Sequence, residues 1–550
     1  MSKPVAWLLA LLWSAGCALA VTAAAWPADR ILGVRNNDLY GALWYRWYLA
    51  ESLERGWSAA VTPLVAWPLG TDMLVRDGCN LLDAALALPL VAWLGPLGAH
   101  DAWAGGVILA NGLAFFRLSE VWRGDDRAGV AAGLLGAALF ALAVVPLEEL
   151  GAGRPTQAFL PFLCLGLRAA WRLDTERFAW AWGGLWLALT GLTYWYAAAW
   201  GGLVLLGVGL TRSPRRAVAM GALALALVSP LLALVATHMA HGPGLPALAH
   251  PDYHPLFVLD ATGWTALISP DGGLTTVPAG MGRVVWGSLP LGALALGVLV
   301  RRDRAWVAMA VAATLCVGLA LGPRPLGLLD SPLYTAFLAL GPLADRMWFP
   351  TRALVVVDLV AAAAISAAAA RWLGRGALPL AAALSVGWGL SLVPGALLPL
   401  PTWRPPHPPA LDWLAAQPDA AVVALPVGAD SLWRVHQVWH GKPVQASLGG
   451  SNPLLAVDGH AEWAAGQPAL ALLDEILMGR KPSRRFTDAD WQPLLDDGFG
   501  YLIVDTATLS ADRTPEMVDL TVKRLGRAVG PPTRQGPGLL IWTLPPGGDR

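Results

Sequence analysis

GVRNNDLYGALWYRWYLAESL, residues 33–53, decides how this chain is read. A polar run ending in Asp38 leads into a segment where Trp44, Tyr45, Trp47 and Tyr48 crowd together. Leu39, Leu43, Trp47, Ala50, Leu53 and Trp57 share one stripe at helical spacing, although Arg46 lies inside it. Tryptophan and tyrosine collect at the headgroup level of a bilayer. The stretch is therefore predicted to be a helix lying on the outer leaflet, with Asp38 at its N-terminal end. Aspartate is a favoured N-cap, and a cap contributes about 1 kcal/mol. A carboxylate held at the membrane surface can also act as a general base. From these residues both readings of Asp38 stand.

The surrounding chain calls for a membrane. Of 550 residues, 56% are hydrophobic and 14% are charged, against roughly a quarter charged in soluble domains. Long apolar runs recur along most of the length, which marks a polytopic, mostly α membrane protein. A net charge of +0 gives no electrostatic reason to expect nucleic acid as a partner. Cys17, Cys164 and Cys316 lie in apolar runs and Cys79 stands alone, so neither a disulfide framework nor a zinc spacing follows. The apolar N-terminal run continues to Ala25, long enough to span, and is read as an uncleaved first helix.

Positive charge prefers the cytoplasmic side of short loops. The clusters Arg117/Arg123/Arg127, Arg168/Arg172/Arg177, Arg212/Arg215/Arg216, Arg301/Arg302/Arg304 and Arg371/Arg375 all become cytoplasmic with eleven spans. These lie near 4–25, 102–121, 128–147, 155–172, 178–195, 196–211, 215–237, 284–300, 304–322, 352–371 and 377–398. The N-terminus is then inside and the C-terminus outside, in a cell (cytoplasmic, inner) membrane. Residues 81–99 are apolar but would invert every later cluster if they crossed. They are read as an interfacial or re-entrant helix on the outer face. The membrane domain is thus 1–400, with outer loops 26–101, 148–155, 238–283 and 323–351. A Pro-rich linker, 401–410, leads to an extracytoplasmic α/β domain, 411–550. Its strands are expected at Ala421–Pro426, Tyr501–Asp505 and Leu539–Leu544, and its helices near 467–478, 488–496 and 515–526.

Several charged residues stand out on that outer face. Arg346 and Arg352 bracket MWFPT against the positive-inside trend. Arginine grips phosphate through two nitrogens at once, so these two are candidates to hold a phosphate, or else to touch lipid headgroups. Asp358 lies within the following span, where an ionisable residue is costly, and it can pair with a neighbouring helix. In HPDYHP (250–255), the prolines favour extended chain, placing His250, Asp252 and His254 on one face. That is the donor set of an N/O site for a divalent metal, Mg or Mn, or simply a polar loop. No phosphate-binding loop, dinucleotide fingerprint or hydrolase elbow is present.

A first helix, an outer loop carrying an Asp, a Trp/Tyr-rich juxtamembrane helix and WPLGTDM (67–73) together resemble the GT-C superfamily of membrane glycosyltransferases. GLTYWYAAAW (191–200), DRMWFPTRALVVV (345–357) and the trailing α/β domain are similar to bacterial members of that group. The resemblance implies a multi-span enzyme that takes a sugar from a polyprenyl-phosphate carrier and passes it, with inversion, to a glycan or protein acceptor. It matches Asp38 to the first-loop acidic base, and puts Glu148 or Glu149 in the place of a second acidic site. It leaves metal dependence open. Two other readings remain: a transporter of lipid-linked glycans, or a non-catalytic scaffold on the same fold.

Overall fold

A computed structural model describes residues 1–26, 29–73, 81–241, 291–320, 331–340, 350–372, 377–392, 398–426, 432–446, 457, 459–510 and 513–545. Among the described residues, five stretches of helix are long and apolar enough to cross a bilayer: Lys3–Ala25, Leu82–Ser119, Arg127–Gly151, Pro214–Leu234 and Leu354–Trp372. Shorter apolar helices at Pro161–Trp171, Ala179–Thr193, Trp195–Arg212, Arg304–Ala320 and Ala377–Ser391 fill the other expected positions, and residues 291–299 are helical as well. The chain is a multi-pass helical membrane protein.

The first helix, α1 (Lys3–Thr22), shows why these helices need lipid. Leu8, Leu12 and Leu19 project outward from one side, more than half exposed, a row that only hydrocarbon would cover without cost. Ala6, Ala10, Ser14 and Ala18 are buried on the other side. Small residues let backbones approach closely: a Cβ on Gly112 would stand 2.4 Å from Ser14 Oγ. The partner here is the third helix.

Helix α2 spans Asn37–Arg55, and α3 spans Leu81–Ser119 with a break at Gly95. Gly95 takes φ 69° and ψ 173°, a conformation reserved for glycine, and Pro96 follows it. The arms turn back on each other, because Trp103 Nε1 in the second donates to Asp83 near the start of the first. Residues 81–94 therefore form a separate arm, folded against the first turns of the helix that follows the break. Helix α4 (Arg127–Ala141) is capped by Asp126, whose side chain accepts from Gly129 N at 2.8 Å. It ends at Leu142, and α5 (Val144–Gly151) restarts the path at once.

The aromatic face of α2 corrects the first expectation. Trp44, Tyr45, Trp47 and Tyr48 do not lie among headgroups. They are buried in one core with Leu411, Val422, Ala424, Trp433, Tyr501, Ile503 and Ile541 of the C-terminal region. Within that region Ala421–Leu425, Phe499–Asp505, Leu539–Thr543 and Arg534–Gly536 form a four-stranded sheet in that order; the first pair is parallel and the others antiparallel. Alternate side chains point to opposite faces. Val423, Leu502, Val504, Leu540 and Trp542 meet the helices Pro468–Leu477, Asp488–Asp496 and Pro515–Ala528. Val422, Ala424, Tyr501, Ile503, Leu539 and Ile541 face Pro409–Ala415, Trp433–His440 and α2. One layer of the α/β sandwich is thus supplied from residues near 44. Trp44 Nε1 donates to Gln437 at 2.6 Å, and Trp67 to Asp497 O at 2.7 Å. Burying an aromatic of this size contributes about 2 kcal/mol.

The three expected strands and three expected helices are present within a residue or two, and Thr514 caps the last helix. The helices Pro409–Ala415 and Trp433–His440 were not expected. The Pro-rich stretch also does more than connect. Thr402–Trp403 pairs antiparallel with Ile31–Leu32, tying the start of the C-terminal region to the loop that follows α1.

Candidate active site

Two loops that are 116 residues apart in sequence are stitched together beside α5. Val34 N donates to Gly151 O at 2.8 Å, and Asn36 Nδ2 donates to Ala152 O at 3.0 Å. The approach is close enough to demand glycine on both sides. A Cβ on Gly33 would stand 3.0 Å from Gly153 Cα, and one on Gly153 would stand 2.6 Å from Leu39 Cβ. Both glycines also hold positive φ, 121° and 78°.

Asp38 is not the cap of α2. That role belongs to Asn36, whose side chain accepts from Leu39 N at 2.8 Å. Asp38 stands in the first turn of the helix, and its Oδ2 accepts from Arg154 Nη1 at 2.9 Å. Arg154 is also paired through Nε with Glu149. The other oxygen of Glu149 accepts from Arg352 Nε at 3.1 Å. Four alternating charges therefore run from Asp38 through Arg154 and Glu149 to Arg352. The side chains are 54%, 23%, 7% and 13% exposed, in that order. Burial opposes the Arg154 charge, but Glu149 and Asp38 outweigh it and hold the guanidinium above its ordinary range.

Beyond Arg352 the string meets aromatics. The guanidinium lies 5.7 Å from the Tyr194 ring and 5.6 Å from the Tyr196 ring, within cation–π range. A cavity of about 10 Å³ lies between Glu149, Gln157, Tyr194 and Arg352, room for about one water. Gln157 Oε1 and the Tyr194 hydroxyl, both buried, have no hydrogen-bond partner among the described residues. GLTYWYAAAW and the end of DRMWFPTRALVVV, far apart in sequence, thus meet at Arg352.

The structure brings Asp38, Glu149 and Arg352 together, and the residue that joins them, Arg154, was not singled out from sequence. Its signal was present: by the count that marked Arg346 and Arg352, Arg154 is a cation in an outer loop. Glu148 lies within electrostatic reach of Glu149 and Arg154, but its Oε1 has no hydrogen-bond partner among the described residues. Asp358 accepts from Val145 N at 3.2 Å, supplying from a neighbouring helix the N-terminal partner that Ala143 cannot give α5. Arg346, His250, Asp252 and His254 lie outside the described residues. Among those described, no group of three or more His, Cys, Asp or Glu is placed to hold a metal. Asp38 and Glu149 face guanidinium groups, so these two do not form a divalent-cation site as they stand.

No family model and no curated protein matches the chain. Among solved structures it is similar to the arabinofuranosyltransferase AftD from Mycobacteria, at 15% identity and TM-score 0.59, over 95% of this chain. It spans only 38% of AftD's length. It is also similar to ArnT from Cupriavidus metallidurans, in a structure bound to undecaprenyl phosphate, at 12% identity and TM-score 0.52, over 98% of both chains. The chain shares the fold of these two proteins.

Proposed function

We propose that the protein is a membrane glycosyltransferase that moves a sugar from a polyprenyl-phosphate carrier to a glycan or protein acceptor at the outer face. The observation that carries this reading is the charge string on a GT-C fold, with its most exposed end a carboxylate and its buried end an arginine. In the proposed step Asp38 takes the proton of an acceptor hydroxyl. The freed oxygen attacks the anomeric carbon from the face opposite the carrier, and the sugar–phosphate C–O bond breaks. The electron pair leaves with the polyprenyl phosphate, whose growing charge Arg352 stabilises, with Arg346 as a second candidate. Glu149 orients Arg352, and Glu148 stands in reserve as an alternative acid site. The undecaprenyl phosphate bound to ArnT supports a carrier of that chemistry. A divalent ion, if used, is assigned to His250, Asp252 and His254, and no step above passes through it.

The test is direct. Purified protein in lipid is given a panel of polyprenyl-phosphate sugars, and released polyprenyl phosphate is followed. Consumption of one donor supports the enzyme; indifference to every donor would return the chain to the scaffold reading. Sidedness is tested separately, in a variant lacking the native cysteines. Ser510→Cys is expected to react with a membrane-impermeant thiol reagent on intact cells or spheroplasts, and Ser213→Cys is not.

A further inference from the structure

We infer that Arg154 is a positioning residue that fixes the direction of the Asp38 carboxylate by anchoring it to buried Glu149. The inference rests on the proposed transferase activity and goes beyond it in assigning a residue outside the reacting groups. Asp38 lies on the first turn of α2 and is half exposed, so little packing around it would hold its side chain in one rotamer. Arg154 supplies the missing restraint. Its Nη1 reaches Asp38 at 2.9 Å while its Nε is held by Glu149, and Glu149 in turn is fixed by Arg352 at 3.1 Å.

The backbone of Arg154 is itself constrained. Gly153, in the left-handed region, precedes it and Pro155 follows it; Arg154 N donates to Glu149 O at 2.7 Å. A proline restricts the residue before it, so the guanidinium issues from a rigid corner between α5 and the next helix. Only a planar fork can use two different nitrogens for two carboxylates; an ammonium is a single point charge. The arrangement holds a general base within the narrow tolerance that proximity catalysis requires, where a misplacement near 1 Å costs about a hundredfold.

The experiment measures donor-dependent transfer by the purified parent, Arg154→Gln, Arg154→Lys, Asp38→Asn and the double variant Asp38→Asn/Arg154→Gln. Arg154→Gln is expected to lower kcat about 10- to 100-fold while the donor KM moves less than about twofold. Arg154→Lys should recover part of the loss. In the Asp38→Asn background, Arg154→Gln should add less than about twofold, because it acts through a group already removed. Parental activity in Arg154→Gln, or a loss that multiplies fully in the double variant, would overturn the assignment. So would a raised KM together with a lowered melting temperature, which would make Arg154 a structural strut. If the parent consumes no donor, or Asp38→Asn is near parental, the proposed activity itself fails. A damaging Asp38→Asn with an additive Arg154→Gln sinks the positioning role alone.

Discussion

Two arginine–carboxylate systems meet α2 within ten residues of each other, and they are built in opposite ways. At its first turn Asp38, half exposed, begins a string that runs inward to Arg352. Two turns later Arg46 is fully buried and meets Asp83, equally buried, at 3.0 Å. That second system closes on itself. Asp83 also accepts from Thr156 at 2.5 Å and from Trp103. His100 Nδ1 accepts from Arg46 at 3.1 Å, so its Nε2 carries the proton and donates to Leu32 O at 2.9 Å. Of these groups only Arg46 Nε lacks a partner among the described residues. A buried network of this kind fixes which helices touch. The open string keeps a carboxylate at the surface, where an incoming hydroxyl can reach it. The comparison teaches that charge near a membrane is not by itself a mark of chemistry; the proposed base differs from Asp83 in being left open to solvent.

The harshest test of that contrast strikes the closed network. Arg46→Leu leaves Asp83 buried beside Trp103 and Thr156 without its cation. Breaking one side of a buried pair costs about 3–5 kcal/mol, so melting in detergent should fall sharply and folded yield with it. The double change Arg46→Leu/Asp83→Leu should recover much of that loss. A single variant that melts like the parent would mean that the network does not hold the helices together.

Asp38→Asn strikes the open string and should give the reverse pattern. Asparagine keeps the size but cannot take a proton. Transfer should fall at least about a hundredfold, while melting stays within about 0.5 kcal/mol of the parent because a partly exposed pair contributes little. Near-parental transfer would point to Glu149 or Glu148 as the base. Next in size is Arg352→Lys, which keeps a cation but loses the fork that serves Glu149 and the proposed phosphate together. A loss of about tenfold in turnover is expected; no loss would leave Arg352 a purely structural partner of Glu149.

The two systems also differ in how far the sequence announced them. Helices α1, α4 and those around 195–237 and 354–372 follow from apolar length alone, since a bilayer imposes its thickness on any chain that crosses it. The strands near 421, 501 and 539 follow from short β-rich runs between turn residues. The fate of Trp44, Tyr45, Trp47 and Tyr48 did not follow. An amphipathic aromatic stripe fits a headgroup layer as well as a protein core, and only the sheet 380 to 500 residues downstream decides between them. Arg46 gave a warning, because a cation inside an apolar stripe must find a buried partner, but nothing local identified Asp83. At the candidate site, Asp38 was legible as a carboxylate at the start of an aromatic helix, and Arg352 as a cation against the positive-inside trend. Arg154 carries the same signal as Arg352. Glu149 could not be separated from Glu148 without knowing which side of α5 faces the arginines.

The smallest test asks how the open string is fastened to its helix, and it turns on Asn36. Its side chain does two things at once. The oxygen caps α2 through Leu39 N, and the nitrogen donates to Ala152 O in the loop that carries Arg154. Asn36→Asp keeps a cap of similar strength but has no donor for Ala152. Asn36→Ala removes both contacts. The cap should contribute about 1 kcal/mol, and a neutral hydrogen bond of this kind about as much. Thermal melting should therefore order the parent above Asn36→Asp and Asn36→Ala lowest, in two comparable steps. Because the tether holds the two loops in register, Asn36→Asp should also lower transfer, though by less than about tenfold and far less than Asp38→Asn. If instead Asn36→Asp melts as low as Asn36→Ala, the oxygen is not working as a cap. Asp38, two residues on in the first turn, would then have to be reconsidered as a group that satisfies the start of the helix rather than as the proposed base.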